Sequence, residues 1–532
     1  MHETEIILGL LLAVAALAWA ANRLRVPYPI LLVIGGLALS FIPHLPAVTL
    51  RPDLVFVLFL PPILYYAGLH TGWRDFRANI RPIATLAIGL VIFTTLAVAV
   101  AAHYVVGMSW ATSFVLGAII SPPDAVAATA ILQRLRVPRR VVTILEGESL
   151  VNDATALVIY RFAVAAVVTG AFSLRWASVQ FVLVSAGGVI IGLLAGIFIA
   201  WIRPRLRDPS VEHIVSLLTP YVAYLPAEWL HVSGVLAVVT CGIYIARRLG
   251  RITTAEIRLR AWAVWDVAIF LLNGLVFILI GLQMSNIIKQ VPAGTLYNAL
   301  GWSVIIAVVA IVARFVWVPF VAYVPRRLLP RLSREFVDPP PRNVAVVAWT
   351  QMRGVVSLAA ALALPIMTAD GRTFPDRNLI VFLTFGVILV TLVGQGLTLP
   401  AIIRVLKLDR VSSEEADEEN TARYLAALAA IERLDTLGAN DAAAAAAIQR
   451  ARAEYDDRIA YYSRTINPDG EVAHAAGMLP CETGEQVMRE AIQAQRDMLG
   501  RLRDQGVIGD DVLRHLEHEL DHEEARLIEE EA

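Results

Sequence analysis

The stretch at residues 145–160, LEGESLVNDATALVIY, reads as a membrane-spanning helix that nevertheless carries Glu146, Glu148, Asn152 and Asp153 within about two turns. An ionised side chain in the hydrocarbon region costs at least ~2.5–3.5 kcal/mol on insertion scales, so an acid is kept there for a partner, a proton or an ion. At 1.5 Å per residue from Arg140, Asp153 lies about 20 Å along its helix, near the bilayer middle. Asp124, in ISPPDAVAATA (120–130), precedes Arg134 by ten residues on the preceding, oppositely directed span, about 15 Å deep by the same rise. Two neighbouring helices each bring a carboxylate to similar depth.

Composition sets the frame for that pair. The chain has 532 residues, 57% of them hydrophobic and 17% charged, and a mean hydropathy of +0.64, which marks an integral membrane protein. Up to residue 410 there are 33 Lys and Arg against 18 Asp and Glu, while residues 411–532 hold 12 against 28. The Arg residues of the first part sit in short connections between apolar runs, where orientation in the bilayer explains them and nucleic-acid binding is not expected. Cys241 and Cys481 give no disulfide framework. The first apolar run ends in Ala18-Trp19-Ala20, like a signal-peptide cleavage site, but Met-His-Glu-Thr-Glu lacks the positive start such peptides need. It is read as a retained helix with its N-terminus outside.

Hydropathy predicts thirteen spans, at 4–22, 28–43, 54–70, 83–106, 110–133, 140–169, 175–203, 211–229, 232–249, 259–285, 297–325, 344–369 and 378–403. With the N-terminus outside, inside connections hold 25 Arg and Lys and outside ones hold five, namely Arg51, Arg175, Lys289, Arg372 and Arg377. A missed or invented span would scramble that split, so the charges predict thirteen helices and a cytoplasmic C-terminus. Residues 1–410 are thus expected to form a transmembrane domain and residues 411–532 a small cytoplasmic helical tail. The tail opens with Ser412 and Glu415 spaced as a capping box and breaks at Asn467-Pro468-Asp469-Gly470.

Pro122-Pro123 removes two backbone donors beside Asp124 and predicts a helix break at mid-membrane. Such breaks occur where they line a protein-enclosed cavity, and the freed carbonyls there can bind a cation. The plainer alternatives are that Asn152 and Asp153 merely staple helices together and that Asp124 marks a simple kink. Arg353, in WTQMRGVVSLAAALALP (349–365), is followed by Gly354, which suggests a second interruption at depth. Glu148 lies five residues before Asp153, about 140° around the helix, so the two can serve different tasks, and a structural Glu148–Arg353 ion pair is expected. Asp266 and Asn273 share a helix face and are candidates to contact the pathway. Arg314 and Arg161 read equally well as pairing partners or as snorkelling residues. His515, His518 and His522 fall on one face of a tail helix, read as solvated rather than metal-binding.

Six segments, FLPPILYYAG (59–68), ISPPDAVAATAIL (120–132), LEGESLVNDATALV (145–158), VSGVLAVVTCGI (232–243), FLLNGLVFILIGLQ (270–283) and MRGVVSLAAALALP (352–365), resemble bacterial sodium/proton antiporters of the cation:proton antiporter-1 family, relatives of the animal sodium/proton exchangers. The resemblance runs from residue 1 to about 410. It implies an all-α membrane protein of thirteen helices, an inverted repeat whose broken helices cross at the ion site, and a homodimer in the cell membrane. It also implies that Asp153 binds cation or proton in turn, that Asn152 is its amide neighbour and that Ser149 is an oxygen ligand. By the same likeness Asp124 is the acid of the broken helix, the backbone carbonyl of Pro123 a further ligand, and Glu148 and Arg353 the family's buried ion pair. Two departures stand out: Tyr66 occupies the place of a frequent acid after LPPI, and Pro123 replaces the usual Thr before the helix-5 Asp.

Carboxylate, hydroxyl and carbonyl oxygens suit a small hard cation. The expected function is therefore exchange of Na+, or alternatively Li+ or K+, for H+ by alternating access, with Asp153 and Asp124 as the cation ligands and no cofactor. With Asn152 where a second acid could stand, one proton per cation and electroneutral exchange are expected. The rivals are an intramembrane aspartyl protease, for which Asp124 and Asp153 would form the dyad, and a cation channel, which would need a continuous pore.

Overall fold

A computed structural model describes residues 2–24, 26–42, 55–124, 132, 137–170, 173–206, 208–291, 293–328, 339–368, 371–408, 413–438, 445–466 and 482–529. Two compact units divide the chain: Met1–Thr71, Phe76–Leu249 and Val264–Arg410 form the first, and Gly72–Asp75, Gly250–Ala263 and Val411–Ala532 the second.

The first unit is helical because, in hydrocarbon, each backbone N–H and C=O must be satisfied within its own segment. In chain order its main helices are α1 (His2–Leu24), α2 (Tyr28–Ser40), α3 (Leu60–His70), α4 (Ile80–Ala84), α5 (Val91–Ala101), α6 (Trp110–Ile120), α7 (Arg139–Thr169), α8 (Leu174–Ile202), α9 (Pro209–Trp229), α10 (Gly234–Ala246), α11 (Ala255–Leu282), α12 (Ala293–Leu328), α13 (Pro341–Trp349), α14 (Val355–Leu362) and α15 (Arg377–Val405), with a short helix Met284–Lys289 after α11. The first residues of α11 are shared with the second unit. The π-helical stretches Val55–Phe59, Thr85–Leu90 and Ala102–Val106 extend α3, link α4 to α5 and end α5. Among the described residues seven helices are long and apolar enough to cross a membrane, and four shorter apolar helices accompany them. The described residues of the expected spans are largely helical, with non-helical stretches at 121–124 and 350–354. The second half of the expected span 110–133 lies mostly outside the described residues.

Close helix packing relies on small residues. Gly36 of α2 faces the backbone of Ile278 and Gly281 on α11, and a Cβ at Gly36 would collide with the Ile278 carbonyl. Gly68 of α3 meets Gly242 of α10 in the same way. Between helices in lipid such close approach is the main source of attraction, because apolar contact with lipid tails competes equally.

Two interruptions decide the architecture around the site. Helix α6 ends at Ile120 and residues 121–124 are non-helical, as the two prolines require. The chain is again non-helical over 350–354, between α13 and α14. The breaks meet: the Asp124 backbone N–H donates to the Met352 carbonyl at 2.7 Å, satisfying two groups that no helix serves.

The second unit contains α16 (Ser413–Gly438), α17 (Ala445–Ile466), α18 (Glu482–Gln505) and α19 (Asp510–Glu529). Ala422 and Ala426 of α16 pack on Ile492, Leu499 and Leu502 of α18 and on Leu513, Leu516 and Leu520 of α19. Arg74 belongs to this unit and donates to the carbonyls of Ile508 at 2.9 Å, Gly506 at 3.0 Å and Arg503 at 3.1 Å, closing the turn between α18 and α19. Arg258 makes a buried two-point contact with Asp521. Ser412 of the expected capping box and the expected break at Asn467–Gly470 lie outside the described residues.

Candidate cation-binding site

A cavity of about 330 Å³ in the first unit is lined by residues of both breaks and of α3, α7 and α11. Pro122, Pro123 and Asp124 come from the first break, Gly354 from the second, Ser149 and Asp153 from α7, Tyr66 and His70 from α3, and Asp266 and Asn273 from α11. The two breaks and the long polar helix therefore converge on one space, which is also where Glu146 is found.

Asp153 is 7% exposed, and among the described residues no ion pair or hydrogen bond engages its carboxylate. Asn152 is fully buried and turns the other way: its Nδ2 donates to the Pro123 carbonyl at 3.0 Å. The Ser149 hydroxyl donates to the same carbonyl at 3.3 Å. Helix α7 is thus tied to the first break through one oxygen, with Asn152 and Ser149 holding the Pro123 carbonyl beside Asp124 and Asp153. Gly354 is required here, because a Cβ at that position would run into the Asp124 carboxylate.

The expected Glu148–Arg353 pair does not form. Glu148, 1% exposed, instead makes a two-point ion pair with Arg314 of α12, and the Arg314 Nε donates to the Val347 carbonyl at 2.9 Å. Arg353 turns toward the broken helices: its Nε donates to the Ile120 carbonyl, its Nη1 to the Gln351 carbonyl at 2.6 Å, and its backbone N–H to Thr391 Oγ1 at 3.2 Å. Ile120 is the last residue of α6, whose final carbonyls have no intrahelical donor and carry the negative end of the helix dipole. Backbone carbonyls take up the Arg353 Nε and Nη1 in place of a carboxylate, while Nη2 has no hydrogen-bond partner among the described residues, and Glu148 pairs with the other deep arginine. Sequence reasoning had no means of ranking Arg314 over Arg353, because their distance from Glu148 depends on how α12 crosses α7.

Farther along the cavity the Tyr66 hydroxyl donates to Asp266 Oδ1. His70 Nδ1 lies 2.9 Å from the Tyr66 carbonyl, and the two rings are 4.2 Å apart. Asn273 is 5% exposed. His70 was missed by sequence reasoning; its position one helical turn after Tyr66 was the available signal. Also missed was the buried pair of Arg203 with Glu212 at 3.0 Å. Arg161 reaches Glu228 at 3.4 Å with about half of its side chain exposed. In the second unit His515, His518 and His522 are exposed, and no group of metal-binding side chains occurs among the described residues.

A helical membrane unit with two touching backbone breaks around a carboxylate-lined cavity is the build of a secondary transporter. The chain belongs to the sodium/hydrogen exchanger family, whose transmembrane model matches residues 9–405, and it is accordingly a multi-pass cation/proton exchanger and not an enzyme. It is 36% identical to an uncharacterized Na(+)/H(+) exchanger of Mycobacterium tuberculosis over 99% of this chain and 98% of that protein. It is 35% identical to a sodium, potassium, lithium and rubidium/H(+) antiporter of Bacillus subtilis over 74% of this chain and 60% of that one. In fold it is similar to the sodium proton antiporter MjNhaP1 of Methanocaldococcus jannaschii, with a TM-score of 0.58 at 20% identity, covering 77% of this chain and all of the other.

Proposed function

We propose that the protein exchanges Na+ for H+ at Asp153, with Asp124 and the oxygens of Ser149 and Pro123 completing the cation's surroundings. One observation carries this reading: Asp153 is the buried carboxylate that faces the cavity with no side-chain partner among the described residues, while Glu148 is neutralised by Arg314. An acid so placed is stable only when it holds a proton or a cation. Proton and cation therefore compete for one carboxylate, and reorientation with the site occupied exchanges one for the other across the membrane.

Asn152 contributes no charge and is engaged with the Pro123 carbonyl, so one proton leaves for each monovalent cation bound and exchange is electroneutral. Asp266 and Tyr66 form the approach to the site, with Asn273 beside them. The working form is a homodimer in the inner membrane with the N-terminus outside, and residues 411–532 are a cytoplasmic tail that tunes activity. K+ is the second substrate to consider, because the Bacillus subtilis relative is named for sodium, potassium, lithium and rubidium.

The test is dye quenching in inverted vesicles with an imposed pH gradient, run with Na+, Li+ and K+ in turn. Recovery on adding Na+ without an ionophore is expected. Recovery that needs a proton ionophore would show a channel, and no recovery with any cation would remove the proposal.

A further inference from the structure

Asp266 lines the cation cavity from α11, and the residue before it does not. Trp265 is 2% exposed and stands behind the lining. A buried indole N–H needs an acceptor. The Trp265 Nε1 finds one in the buried Ser216 of α9, donating to its Oγ at 3.0 Å. The same ring lies 5.5 Å from the ring of Tyr65 and 6.2 Å from that of Tyr66, both on α3. One side chain of α11 is thus held by two other helices, through a hydrogen bond to α9 and ring contacts to α3. Consecutive helical residues point about 100° apart, so the seat of Trp265 fixes how α11 is turned and the direction in which Asp266 leaves it.

We infer that Trp265 is a positioning residue for the exchange reaction: anchored to Ser216 and seated against Tyr65 and Tyr66, it holds the Asp266 carboxylate where the Tyr66 hydroxyl reaches it, and so sets the cavity's affinity for the cation. The inference rests on the reading of this cavity as the cation site. Tyr66 and Asp266 line the cavity, whereas Trp265, Ser216 and Tyr65 do not, so the last three act on the cation only through the first two. The bond from Tyr66 to Asp266 Oδ1 joins the same two helices as the Trp265 ring contacts, one residue along on each. An aromatic body with one polar handle suits this task. The ring contacts set the spacing of α3 and α11, and the single N–H selects the ring orientation that reaches Ser216. The attraction of a carboxylate for a cation falls with distance, so a shift of Asp266 is read directly as a change in affinity.

The experiment titrates Na+ in the inverted-vesicle assay for full-chain Trp265→Phe and Ser216→Ala, each made alone and together with Tyr66→Phe. Trp265→Phe keeps an aromatic ring and lacks the N–H, while Ser216→Ala removes the acceptor and leaves the indole in place. Each single variant is expected to move the half-saturating Na+ concentration about fivefold, equivalent to ~1 kcal/mol, in the same direction as Tyr66→Phe and with a maximal rate near that of the parent. Combined with Tyr66→Phe, neither should add a further shift, because the contact through which Trp265 acts is already gone. A merely structural role would instead lower the maximal rate and leave half-saturation where it was. That outcome would overturn the inference, as would a shift in the opposite direction or one that adds in full to that of Tyr66→Phe. A parent protein that exchanges no cation would remove the reading of the cavity itself, and this inference with it.

Discussion

Glu148 on α7 and Arg314 on α12 form a two-point ion pair, with Arg314 Nη2 to Glu148 Oε2 at 2.6 Å and each side chain 1% exposed. Removing one member leaves the other charged and buried, which typically costs ~3–5 kcal/mol. Glu148→Ala and Arg314→Ala should each lower the melting temperature and yield of the purified protein, and the double variant Glu148→Leu/Arg314→Met should recover most of that loss. Single variants that melt like the parent would show that the pair contributes no net stability.

Asp153→Asn should abolish cation-dependent proton movement without changing the melting profile. The amide preserves shape but cannot alternate between a proton and a cation. Vesicle assays on a monodisperse variant check this, and retained exchange would move the site to Asp124.

At Gly354 any side chain meets the Asp124 carboxylate. Gly354→Ala should displace the break that carries the Met352 carbonyl and reduce exchange by about tenfold or more, the scale of a ~1.4 kcal/mol misplacement. Helical content by circular dichroism should stay at the parent level, which separates a local shift from misfolding.

The hydroxyl of Tyr66 is the donor to Asp266 Oδ1. Tyr66→Phe should release Asp266 and change the half-saturating Na+ concentration several-fold while leaving the maximal rate near that of the parent. Titrating Na+ in the vesicle assay distinguishes this from a variant that moves neither quantity.

Glu517 on α19 has its carboxyl raised above the usual range by burial, with Arg258, Arg496 and Arg503 opposing and Asp521 adding to the shift. A raised folded value means that the folded state favours the proton. The contribution of Glu517 is then fully present below the ordinary carboxylate range and is lost as pH rises through the raised value. Glu517→Gln should therefore slow amide hydrogen exchange in α18 and α19 at neutral pH and leave it unchanged near pH ~4, where an ordinary glutamate is already largely protonated.

Much of this protein was legible in one dimension. Apolar runs long enough to span a bilayer must become helices, because no other local structure satisfies their backbone there. Prolines at 122 and 123 withdraw two backbone donors beside Asp124, and the helix ends there. Rise per residue alone gave the expectation that Asp124 and Asp153 share a depth, and both line one cavity. Pairing did not. Arg314 and Arg353 are both deep arginines, and which one meets Glu148 depends on the crossing of α7 and α12 and on the Ile120 carbonyl that takes up Arg353. The meeting of Tyr66 with Asp266, 200 residues apart, is likewise a product of packing. Sequence determined which groups lie at depth, since that depends on local geometry and hydropathy; only the tertiary structure decided which of them neutralise one another and which one is left facing the cavity, because those distances are set between helices that the chain order does not bring together.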